Sequence, residues 1–104
     1  MTATIAALPT GLRAYKRTPI FTEATIPEGL RRRHSTKSGV WGVIRVIEGR
    51  LRYRILAPPA ERILDPDHPG VAEPTQPHEV EPLGAVRFFI EFHARADAES
   101  SDDR

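Results

Sequence analysis

The chain has 104 residues, 15 Lys and Arg against 14 Asp and Glu, a formal net charge of +1, and no cysteine. That length makes one domain with one modest core, and the near-neutral charge exerts no general pull towards nucleic acid or a membrane surface. The missing thiols exclude disulfides, thiolate metal sites and a cysteine nucleophile.

A cytoplasmic location is expected. A reducing compartment suits a cysteine-free chain, and no apolar run approaches the ~20 residues of a membrane span. Residues 1–8 read as neither a signal peptide nor an anchor. Ten prolines and seven glycines argue against long helices and for short strands joined by turns.

In chain order, Leu8-Pro9-Thr10-Gly11-Leu12 is a turn into a first extended piece, and residues 18–21 form a short strand or a covering arm. Pro27-Glu28-Gly29 is a turn, followed by a strand over 30–36. Residues 40–47 carry the best strand signal. Glu48-Gly49 is predicted to be a hairpin turn with glycine at positive φ. On the returning strand, 50–56, Leu51, Tyr53 and Ile55 alternate with Arg50, Arg52 and Arg54. Period two sends the first set to a core and the arginines to water. Residues 57–60 are a loop, 61–64 a short strand, 65–70 a turn, and 71–74 and 78–82 extended pieces. The last strand, 85–93, is apolar on both faces at Phe88, Phe89 and Ile90, so it is predicted to be central. About eight short strands indicate a sandwich or barrel. The predicted domain runs over 1–96, with an acidic tail, 97–104, lacking structure.

Two histidines attract attention. His34 follows Arg31-Arg32-Arg33, and His78 follows Gln76-Pro77. In a small β-barrel the two can converge on one interior site, where neutral imidazoles bind zinc, iron, manganese or nickel. The competing reading is two lining histidines satisfied by hydrogen bonds. His68, in a Pro/Asp turn, is expected to be exposed. The arginines clustered over 31–54 could face an anionic ligand or RNA, or form a solvated strand face offset by glutamates. With Tyr53 the one interleaved aromatic, facing the other way, nucleic acid is a weak reading.

The order of these motifs is similar to that of a cupin, the double-stranded β-helix or jelly-roll barrel. More closely, the chain resembles the TehB/YeaR-like family of small bacterial cupin-like domains. The residues that carry this are Leu8-Pro9, Tyr15-Lys16-Arg17-Thr18-Pro19-Ile20-Phe21, Arg33-His34-Ser35-Thr36, Gly39-Val40-Trp41-Gly42, Glu48-Gly49-Arg50-Leu51-Arg52-Tyr53, Pro77-His78-Glu79-Val80 and Arg87-Phe88-Phe89-Ile90-Glu91-Phe92. The resemblance implies an all-β cupin-like fold, with His34 and His78 as the first- and second-motif histidines. Ser35 and Thr36 stand where a cupin has its second histidine, so at most two of the usual four ligands map. A third ligand is sought in Glu91, Glu79 or His93, and Glu91 is taken as the candidate. By parity it lies with Arg87, Phe89 and His93, so an outer Arg87–Glu91 pair is the alternative. Arg33, Trp41 and Arg87 are the candidate ligand-binding residues.

The function expected is binding of a divalent metal or small molecule in the barrel, in stress or tellurite-resistance physiology, by a homodimer. A metal-dependent oxygenase or isomerase, and a partner-binding module using the arginine face, are the alternatives. Some members of the resembled family are fused to a methyltransferase. With no Gly-rich cofactor loop here, methyl transfer is not carried over.

Overall fold

Side-chain alternation decides the layers of this molecule. The computed structural model describes residues 8–95. They form β1 (Leu12–Arg17), β2 (Phe21–Thr22), a 3-10 turn (Glu28–Arg31), β3 (Trp41–Glu48), β4 (Leu51–Leu56), β5 (Pro59–Leu64), β6 (Gly70–Ala72), β7 (His78–Pro82) and β8 (Arg87–Arg95). All strand pairs are antiparallel. The larger sheet has the order β1-β8-β3-β6, with β2 also on β8, and the smaller has the order β5-β4-β7. The all-β expectation is met. The strands lie in two separate sheets, and their pairing does not close into a ring among the described residues. The expected tail, 97–104, lies outside those residues.

The predicted alternation on β4 holds. Leu51 and Tyr53 are fully buried, and Arg52 and Arg54 face out. The last strand is central as expected, between β1 and β3. Its even residues Phe88 and Ile90 meet Ile44 and Val46 of β3, and Leu51, Tyr53, Leu64 and Val80 of the smaller sheet, in one core. Ile26 and Leu30, around the 3-10 turn, join that core. Each such side chain contributes about 1.5–3 kcal/mol of burial.

Two expectations fail. Glu48-Gly49 makes no hairpin, since β3 and β4 belong to different sheets and do not pair. It is the corner where the chain crosses between layers. Gly49 has φ +87°, as expected, and a Cβ there would overlap the carbonyl of Ala85. Residues 30–36 make no continuous strand either. The turn at Pro27 runs on as a 3-10 turn, and only His34 and Thr36 form single bridges, to His78 and Pro74.

Candidate functional site

His34 and His78 do meet. After the 3-10 turn the chain extends at Arg32, which carries His34 alongside the start of β7. The two residues then hold each other by their backbones. His34 N–H donates to the His78 carbonyl and His78 N–H to that of His34, both at 2.8 Å. Their rings stand edge to face with centroids 5.3 Å apart. The His78 ring also stands edge to face with Tyr53, at 5.6 Å. His78 is 2% exposed, Tyr53 1%, and His34 is half-buried.

The hydrogen bonds fix the protons. His78 Nδ1 lies 3.0 Å from the Gln76 carbonyl, which can only accept. Nδ1 therefore carries the proton and Nε2 is the acceptor. Tyr53 Oη donates to the Val71 carbonyl at 3.0 Å. Burial lowers the pKa of His34. It also lowers that of His78, against the opposing bond to Gln76 and reinforced by His34. Burial, with Glu73 reinforcing and Arg62 opposing, pushes the Tyr53 phenol up to about 12. At neutral pH the cluster is two uncharged imidazoles and an uncharged phenol.

Glu91 is nowhere near this pair. Residues paired across strands share a face, and Glu91 pairs with Val43 of β3 and Arg17 of β1 on the outer side of the larger sheet. Its Oε1 accepts from Arg45 Nε at 3.0 Å and from His93 Nε2 at 3.2 Å. Burial pushes its pKa up, but these two partners outweigh that and hold it below the usual carboxylate value. The partner expected from parity, Arg87, instead reaches Glu48 at 3.3 Å. His93 directs Nε2–H at Glu91, and its Nδ1 is buried with no partner among the described residues. Trp41 stands directly opposite His93. Arg45 was missed in the sequence, where nothing local links it to Glu91; the register of β3 against β8 makes the link.

The metal reading is corrected on these grounds. A protein site for zinc, iron, manganese or nickel takes at least three converging donors. His34 and His78 supply two, Glu91 is committed on another face, and no group of three metal-ligating side chains exists among the described residues. Of the other candidates, Arg33 is exposed beside His34, Trp41 is half-buried on the outer face, and Arg87 is exposed near the start of β8. His68 is exposed, as expected, and its Nδ1 is 2.8 Å from Asp65.

The arginine face is corrected too. Arg54 reaches Glu79 at 2.6 Å and Glu61 at 3.7 Å. Arg52 reaches Glu81 at 2.9 Å and Glu61 at 3.0 Å. The Arg52 Nε contact with Glu61 lacks hydrogen-bond alignment, leaving a Coulombic attraction. Three glutamates from two strands thus neutralise the two central arginines, which leaves no free anion-binding surface there. Among the described residues no helix is long and apolar enough to cross a membrane.

Comparison with known proteins sharpens the correction. The chain is 35% and 34% identical, over 77 residues, to the probable S-adenosyl-L-methionine-dependent methyltransferase TehB of two Haemophilus influenzae strains. The aligned stretch is 69% of this chain and 27% of theirs, so the chain spans about a quarter of those relatives. The crystal structure of Haemophilus influenzae TehB superimposes with a TM-score of 0.78 at 30% identity, covering 88% of this chain and 34% of that one. An Escherichia coli K12 protein superimposes with a TM-score of 0.77 at 23% identity, covering 85% of this chain and 95% of that one, and shares the fold. Relatives named for methyl transfer displace the expected metal-binding cupin, the metal-dependent oxygenase or isomerase, and the arginine-face module. Residues 16–90 match the model of the TehB-like domain, and the chain belongs to that family.

Proposed function

We propose that this chain serves S-adenosylmethionine-dependent methyl transfer as a β-domain that accompanies a methyltransferase, in the same polypeptide or as a separate partner. The observation that carries this is similarity over most of this chain but only about a quarter of the TehB methyltransferases. The described residues are strands and one 3-10 turn. They offer no strand–glycine loop–helix unit of the kind that holds an adenosine cofactor at a helix N-terminus. The cofactor therefore belongs to the larger remainder, and this chain supplies a rigid neighbour to it.

We also read the winding as a cupin-like jelly roll. The His34–His78 bridge adds a minimal fourth strand beside β7. The two layers then run β1-β8-β3-β6 and β5-β4-β7 followed by the segment around His34, which is the jelly-roll order.

The test is a chimera of Haemophilus influenzae TehB in which this chain replaces the matching stretch. Methyl transfer from labelled S-adenosylmethionine should persist in the chimera, and calorimetry should find no cofactor binding to this chain alone. A folded chimera without methyl transfer would overturn the reading.

A further inference from the structure

The outer face of the larger sheet is unlike an ordinary solvated face. Three strands build it, with a β-bulge in β1 between Ala14 and Lys16. Trp41, His93 and Ala14 form one row, Val43, Glu91 and Arg17 the next, and Arg45 and Phe89 a third. Val43 is 0% exposed although it lies on the side away from the core cluster. The Arg17 guanidinium lies 4.9 Å above the Phe89 ring. At the centre, Glu91 ties Arg45 to His93, and His93 Nδ1 is a buried ring nitrogen without a partner among the described residues. A half-buried tryptophan and phenylalanine around a satisfied charge pair is the composition of an interface centre. The smaller sheet shows the opposite pattern, with Arg52 and Arg54 neutralised by glutamates of their own sheet.

The first and last long strands end at the same place. Leu12 at the start of β1 pairs with Arg95 at the end of β8. That puts both strand ends two positions from the Trp41–His93–Ala14 row. A relative of TehB length has about three times as much chain outside the matching stretch, and the described strands nearest the two termini, β1 and β8, both end at this corner.

We propose that the Trp41–Phe89–His93 face is where the methyltransferase body docks. The inference rests on the function proposed above and adds the surface. The partner it fits presents an apolar patch to Trp41 and Phe89 and a polar group that pairs with His93 Nδ1. Docking through this face leaves the ion-paired face in water and the His34–His78 cluster out of contact with the partner.

Hydroxyl-radical footprinting with peptide mass spectrometry tests it, comparing the full 104-residue chain with the chimera described above. Oxidation of Trp41 and Phe89 should fall severalfold in the chimera, while Ile63, 44% exposed on the other sheet, stays unchanged. A Trp41→Ala chimera should lose methyl transfer, and an Ile63→Ala chimera should keep it. An active chimera with Trp41 and Phe89 labelled as in the free chain, or with protection on Ile63 instead, would overturn the docking face and leave the function standing. So would a free chain that sediments as a dimer through Trp41. Loss of methyl transfer in a folded chimera with both residues protected would count against the function and not the face.

Discussion

The two outer faces of this β-domain are built by different rules. On the smaller sheet, Arg52 and Arg54 alternate with core residues and find Glu61, Glu79 and Glu81 on the flanking strands. The charges there are partly in water, and Arg52, Arg54, Glu61 and Glu81 are each shared between two or more partners. On the larger sheet one carboxylate, Glu91, holds one arginine and one histidine beside a fully buried valine and a half-buried tryptophan. The first face loses little when one member goes, because water and neighbours take its place. The second has few substitutes, so each member matters more.

That contrast is open to direct attack. The largest effect is expected from Val43→Asp, which places a carboxylate at a site with no exposure; urea titration should show a loss of about 3–5 kcal/mol. The same change at Ile63 on the other sheet, 44% exposed, should cost under about 1 kcal/mol. Equal losses would erase the difference between the faces. Glu91→Gln comes next, at about 1–2 kcal/mol near neutral pH. Its pH dependence has a definite sign. Glu91 has its pKa held below the unfolded value of 4.5, so its contribution is complete above that pH and fades as pH falls through the lowered folded value. The variant should therefore converge on the parent in acid.

His34 gives a smaller and separable signal. Burial lowers its pKa below the ordinary 6.5, so the unfolded chain takes up the proton first and stability falls as pH drops below 6.5. The slope is at most about 1.4 kcal/mol per pH unit for one proton. His34→Gln should flatten that slope between pH 6.5 and acid, as followed by thermal melts in a pH series. The smallest effect belongs to Arg52→Gln on the ion-paired face, about 0.5 kcal/mol. It should vanish in 1 M salt, where the screening length is about 3 Å. A salt-insensitive loss at Arg52 would show that its face is packed rather than solvated.

What could be read from the sequence was what is local. The alternation of Leu51, Tyr53 and Ile55 with arginines needs only a period of two, and β4 obeys it. The two-sided apolarity around Phe89 announced a central strand. Gly49 was read correctly as a positive-φ turn, but a hairpin and an inter-sheet corner ask the same of a glycine. Only the distant carbonyl of Ala85 distinguishes them. The glutamates that neutralise Arg54 come from β5 and β7, and Arg45 reaches Glu91 across a register no local pattern encodes. His34 and His78 were correctly paired for an incomplete reason. They meet as a backbone bridge with rings edge to face, and the third donor was sought on a strand whose parity turned it outward.

The central position of β8 has a consequence for how the protein is made. Among the described residues β1 and β2 pair with no strand but β8, and β3 has β8 along nearly its whole length. On the ribosome the β4–β5 hairpin can form as soon as it emerges. The larger sheet must wait for its middle, and until residues 87–95 are free the edges of β1 and β3 stand open to any other strand. Synthesis that stalls before residue 87 therefore releases not a smaller version of this domain but a half-sheet seeking a partner.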